Sequence, residues 1–173
     1  MWMPRGWTNA DAVAATREFL EQPLPRKAAI RAMMSKLLSP EPYARRCAAD
    51  LARRVSAREP GVLKKYADVL IDLVAELPYE EWQARGYTAL AAALNAATHA
   101  QRMRMAPLAR GLVDDPRIAV SAMGLEAFAM VAAQEPELQE EAMMLLERFR
   151  RTGACALRSR ARRMLPVVAA GRD

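Results

Sequence analysis

Val120-Ser121-Ala122-Met123-Gly124-Leu125-Glu126-Ala127-Phe128-Ala129-Met130-Val131-Ala132 is the stretch on which the fold turns. Taken every fourth residue, it reads large, small, large, small: Val120, Gly124, Phe128, Ala132. Residues four apart share one face of an α-helix, so this is a helical stripe with a gap in its middle. The large–small–large start recurs as Tyr43, Cys47, Leu51, as Trp82, Gly86, Leu90, and as Leu157, Ala161, Leu165, with Val55, Leu94 and Ala169 in the fourth place. The first residues of the four copies are 39, 38 and 37 apart. Self-similarity at such a period is the mark of a stacked helical repeat, in which each unit buries its apolar face only against its neighbours.

The stretches between the copies carry apolar stripes of their own: Ile30, Met33, Met34 and Leu37; Tyr66, Leu70 and Leu73; Leu138, Ala142, Leu145 and Phe149. Each repeat is therefore expected to be a helix pair. Prolines divide the chain into about nine helices. The first is capped by Asn9 and runs to about Glu21, where Pro23 and Pro25 break it. The second ends near Leu38. The third follows Ser39-Pro40-Glu41-Pro42 and runs to about Ala57. The fourth starts at Pro60, and the fifth spans about Tyr79 to Ala97. Pro107 must kink or open the sixth. The seventh follows Asp115-Pro116, the eighth starts at Pro136, and the ninth runs from Gly153 to about Ala170. No segment alternates apolar and polar residues as a strand does. The reading is a single all-α domain over 1–173, with a cap helix over 1–22, helix-pair repeats over 24–152 and a basic helix over 154–170.

The segments Leu38 to Leu51 and Pro107 to Phe128, and Leu157-Arg158 with Ala161, Met164 and Leu165, resemble HEAT repeats. The resemblance covers roughly residues 24–170 and implies a right-handed α-α superhelix of about four helix hairpins. Members of that family commonly have arginine after the first apolar position. Ala44, Gln83 and Ser121 stand there instead, and only Arg158 keeps the pattern. HEAT proteins act as scaffolds and binding surfaces, so the resemblance implies a macromolecular partner.

Charge narrows the place of contact. Residues 148–173 hold eight arginines against Asp173 alone, while residues 1–147 hold 18 Lys+Arg against 19 Asp+Glu. The candidate partner-binding residues are Arg148, Arg150, Arg151, Arg158, Arg160, Arg162 and Arg163, with Arg158 and Arg162 in one stripe beside the core and Arg160 and Arg163 on the outer side. The acidic run Glu135, Glu137, Glu140, Glu141 would partly neutralise them if it folds nearby. The leading expectation is a protein partner in the solenoid groove. The alternative is an anionic partner held by the arginines, either nucleic-acid phosphates, which arginine engages bidentately, or an acidic protein surface.

Chemistry is hard to assemble from these residues. His99 is the only histidine, in an expected turn, so any triad or histidine-rich metal site would rest on that one residue. Cys47 falls on a small core position and Cys155 opens the last helix. The pairs Glu80-Glu81, Asp114-Asp115 and Glu140-Glu141 suit the positive ends of helix dipoles. Phosphate-loop, HExxH, GxSxG and CxxC motifs are absent from the sequence. A HEAT-like fold also occurs in alkylated-DNA glycosylases. With Trp82 read as a core anchor, the sequence offers no tryptophan–aspartate set in a basic groove. The expectation is a non-catalytic chain with no cofactor, no metal and no small-molecule substrate. No run of about 18 apolar residues or signal-like N-terminus suggests a membrane or export, so the cytoplasm is the expected compartment.

Overall fold

The computed structural model describes residues 6–22 and 26–171. Pro23, Pro25 and Asp173 lie outside the described residues. Nine α-helices and two short 3-10 turns account for the regular structure there, with no strand among the described residues. The helices are α1 (Asn9–Glu21), α2 (Lys27–Leu37), α3 (Pro42–Arg58), α4 (Ala67–Glu76), α5 (Trp82–Asn95), α6 (His99–Val113), α7 (Ile118–Ala132), α8 (Pro136–Thr152) and α9 (Cys155–Ala170).

Helix starts follow local chemistry. The cap of α1 is Thr8, one residue earlier than the expected Asn9. Asp11 N–H donates to Thr8 Oγ1 at 3.2 Å, and Thr8 N–H donates to Asp11 Oδ2 at 2.8 Å. This reciprocal box satisfies two donors where a lone asparagine would satisfy one. Thr98 and Gln101 repeat the device, which makes His99 the first residue of α6 rather than part of a turn. Pro42 and Pro136 occupy first-turn positions where their missing N–H is harmless.

Pro107 does not open α6, which runs through it, and α9 runs through Pro166 to Ala170 as expected. Both prolines face solvent, where the carbonyl left without a partner one turn earlier can be hydrated. Pro60 does not open α4. Gly61 takes a positive φ of 79°, and a turn with a 3-10 segment at Lys64–Tyr66 delays the helix to Ala67.

The helices form two layers. In one layer α1, α3, α5, α7 and α9 pack side by side in that order; α2, α4, α6 and α8 each pack on the following helix. The recurring stripe is the seam between neighbours. Cys47, Val55, Val120, Phe128, Ala132 and Ala161 are all buried, while Tyr43 and Trp82 are only half-buried at the rim. In α9 the stripe drifts. Leu157, Ala161, Met164 and Val168 are buried, whereas Leu165 is half-buried and Ala169 exposed. No described helix lies beyond α9, so it turns one face to both α7 and α8.

The small positions are not equivalent. A Cβ added at Gly86 would meet the flexible end of Met123, its Cε at 2.4 Å. One added at Gly124 would meet Leu112 Cβ at 2.6 Å, and the Leu112 carbonyl carbon and Val113 N both at 2.7 Å. Gly124 is where α6 and α7 touch backbone to backbone. The methionines split similarly: Met33, Met34, Met105, Met123 and Met164 fill the core, whereas Met144 is 62% exposed.

Polar ties also run at the repeat period. Arg45 pairs with Glu81, Arg46 Nη1 donates to Gln83 Oε1 at 3.1 Å, Arg117 Nη1 donates to the Tyr79 carbonyl at 3.1 Å, and Arg163 pairs with Glu126. The partners are 36, 37, 38 and 37 residues apart. The most buried tie is Asn95, 2% exposed. Its Nδ2 donates to Ser56 Oγ at 2.8 Å and to the Ala91 carbonyl at 2.7 Å, while its Oδ1 accepts from Leu63 N–H at 2.7 Å. One side chain thus joins α3, α5 and the turn before α4.

Candidate functional site

The acidic run does not reach the arginine end. Glu135 accepts hydrogen bonds from Arg102 and His99, and Glu141 accepts from Arg110 at 2.7 Å, so both face α6. The paired carboxylates likewise do more than complement helix dipoles. Glu81 holds Arg45, Asp114 holds Arg110, and Asp115 holds Arg117. The carboxylates that do meet the arginine cluster are Glu147 and Glu126.

The structure sorts the seven candidate arginines into two groups and an outlier. Arg150 and Arg151 on α8 and Arg158, Arg162 and Arg163 on α9 line one open depression of about 780 Å³, with Cys155 and Ser159 between them. Arg148 stands apart, its guanidinium 4.5 Å from the centre of the Phe149 ring. Arg160 and Arg163 turn onto Glu126 of α7, which is 7% exposed, and so are not simply outward-facing as the sequence suggested. Burial, followed by the charges of Arg163 and Arg53, lowers the Arg160 pKa below the usual guanidinium value.

The depression carries uncompensated charge. Arg150 donates to Glu147 Oε2 at 2.9 Å, and Arg151 approaches the same oxygen at 3.7 Å. Arg158 and Arg162 are exposed and have no ion-pair partner among the described residues. The start of α9 adds to this field. Its cap, Ala154, offers no side-chain acceptor, and its first turn has no acid, so its free N–H groups keep their positive potential.

A second basic surface was not legible in the sequence. On α3, Arg53 and Arg54 both bond Asp50, Arg54 Nε lying 3.1 Å from each carboxylate oxygen. Trp7 Nε1 donates to Asp50 Oδ2 at 3.3 Å, and Arg53 lies 5.0 Å from the Tyr87 ring centre. Trp7, Asn9, Arg46, Asp50, Arg54, Gln83 and Tyr87 surround a cleft of about 210 Å³. The sequence reading found no tryptophan beside an aspartate in basic surroundings, yet folding brings Trp7 to Asp50 across 43 residues. The available signal was the repeat itself, since Arg46–Gln83 and Glu126–Arg163 each span one period.

His99, Glu135 and Glu137 bring ligand-type atoms within 4.8 Å of one another. Glu135 already has Arg102 on one oxygen and His99 on the other, at 2.8 Å. A cation there would face a guanidinium, so the trio reads as a salt-bridge node. Burial pushes the Glu135 pKa up, but hydrogen bonds from Arg102 and His99 outweigh it and leave the net shift downward. Arg117 lowers Asp115 in the same way. A depressed folded-state pKa gives stability that is present above the unfolded values, 4.5 and 3.8, and lost as pH falls through the folded ones. The melting temperature should therefore fall as pH drops below about 4.5, and Glu135→Gln should flatten that limb. An identical acid limb in Glu135→Gln would remove Glu135 as its source.

Burial raises the Cys47 thiol, which sits in the core, while Cys155 is exposed. No helix among the described residues is long and apolar enough to cross a membrane. Comparisons of the chain with protein-family models, curated proteins and solved structures found no match.

Proposed function

We propose that this chain is a HEAT-like, right-handed helical solenoid that acts as a non-catalytic binding module and takes nucleic-acid phosphates on its arginine-lined end. The observation that carries the reading is the depression in which five arginines converge and two, Arg158 and Arg162, have no ion-pair partner among the described residues. With Glu147 and Glu126 the only carboxylates among the described residues that meet it, the set keeps a net positive charge that attracts anions, and phosphodiester groups match the guanidinium fork. The apolar-groove contact with a protein has less support. Exposed large apolar side chains such as Val13, Ile118, Met144 and Val167 are scattered over different helices rather than joined in a patch. A glycosylase-type role is disfavoured because Asp50, the acid beside Trp7, has its oxygens committed to Arg53, Arg54 and the indole.

The test is fluorescence anisotropy of labelled mixed-sequence DNA and RNA at about 50 and 200 mM salt. Micromolar binding that weakens steeply with salt is expected. Arg158→Glu with Arg162→Glu should reduce affinity by at least about tenfold while the melting temperature stays within about 2 °C, since neither side chain makes an internal ion pair. Salt-independent binding, or an unchanged affinity in the double variant, would move the contact elsewhere.

A further inference from the structure

Basic side chains lead from the arginine end towards the cleft beside Trp7. Arg163 lines the depression and also pairs with Glu126. Arg160 pairs with the same carboxylate, and Arg53 lies near enough for its charge to act on Arg160. Arg53 in turn lies over Tyr87, which lines the cleft. Guanidinium groups of α9 and α3 thus lie within reach of each other's charge, and the α3 group borders the cleft that Tyr87 and Trp7 line.

The cleft has the polar equipment for a flat heterocycle. Asn9 Oδ1 accepts from Arg54 Nη2 at 2.7 Å, and Gln83 Oε1 accepts from Arg46 Nη1 at 3.1 Å. A guanidinium only donates, so both amide oxygens must face the arginines and both NH2 groups are left to donate elsewhere. Neither NH2 has a partner among the described residues. Two free amide donors beside a tyrosine and a tryptophan suit the carbonyl edge and π face of a base, and stacking of this kind tolerates any base.

We propose that the cleft between Trp7 and Tyr87 is a base-binding subsite, so that the nucleic acid taken by the arginine end is single-stranded, with one base in the cleft. A base inside a duplex is stacked on both faces and cannot enter such a cleft without leaving the helix. This rests on the proposed phosphate contact and adds strand type to it.

The experiment compares an unlabelled thymidine 12-mer with inorganic polyphosphate of similar charge, which has phosphates but no bases. Intrinsic tryptophan fluorescence and competition against a labelled oligonucleotide are the readouts. The 12-mer should quench emission and polyphosphate should not, and the quench should vanish in Trp7→Phe. Tyr87→Ala should weaken the 12-mer roughly tenfold and leave polyphosphate unchanged. Gln83→Ala serves as the second variant if Tyr87→Ala melts early, with a smaller loss confined to the 12-mer. If both polyanions bind alike and neither variant discriminates between them, the base subsite is wrong and the phosphate contact stands. If neither polyanion binds, the phosphate contact fails and takes the subsite with it.

Discussion

Gly124→Ala is expected to destabilise the fold by about 2–3 kcal/mol, although alanine is the better helix former. The added methyl would lie 2.6–2.7 Å from Leu112 Cβ, the Leu112 carbonyl carbon and Val113 N. Two of these are backbone atoms of α6, so relief requires moving a whole helix away from α7. The gain in helix propensity, about 1 kcal/mol, cannot offset that. Gly86→Ala is the internal comparison. Its new methyl meets only the end of Met123, a side chain with three rotatable bonds. It should be neutral or stabilising by up to about 1 kcal/mol. Denaturant unfolding of the two variants checks both. Equal losses would show that the small positions are equivalent and that Gly124 is not a special contact.

Asn95→Ala is the second large effect, a loss of about 2–4 kcal/mol. The side chain closes three hydrogen bonds in a site that water does not reach, and its removal leaves Leu63 N–H and Ser56 Oγ buried with their polarity unsatisfied. A donor or acceptor stranded in this way forfeits its hydration as well as the bond. Ser56→Ala alone should lose about 1 kcal/mol. In the double variant the loss should be less than additive, because the hydroxyl that Asn95 served is no longer there to strand. Strict additivity by denaturant melts would mean that the two residues stabilise the fold independently.

These two residues also show where sequence legibility ends. The helical character, the pairing of helices and the burial of Cys47, Val120, Phe128 and Ala161 could be read from a four-residue spacing repeated at a constant period. That pattern depends only on side-chain size and the pitch of the helix. It could not separate Gly86 from Gly124, because both are glycines in one register and differ only in what a neighbouring helix presents. Nor could it place α4, whose start is set by Asn95, 32 residues from the Leu63 N–H that it binds. The arginine end was visible because its charges are consecutive in the chain. The Trp7–Tyr87 cleft was hidden because its residues come from three separate segments, which only the fold brings together. Where the acidic run points is likewise not set by its proximity in sequence to the arginines: the helix turn directs Glu135 and Glu141 back to α6.

The polar ties one period apart have a kinetic meaning. Cross-repeat bonds from Arg26–Glu59 to Arg163–Glu126 close loops of 31 to 39 residues, the α1–α3 ties Trp7–Asp50 and Arg54–Asn9 span 43 and 45, and none of them needs the chain ends to find each other. Loop-closure entropy rises only slowly over such lengths. Any adjacent pair of repeats can therefore act as the seed, with each new hairpin docking on a surface already formed. Folding of this kind spreads along the chain like a zipper, and its pace is set by the first docking rather than by the length of the stack.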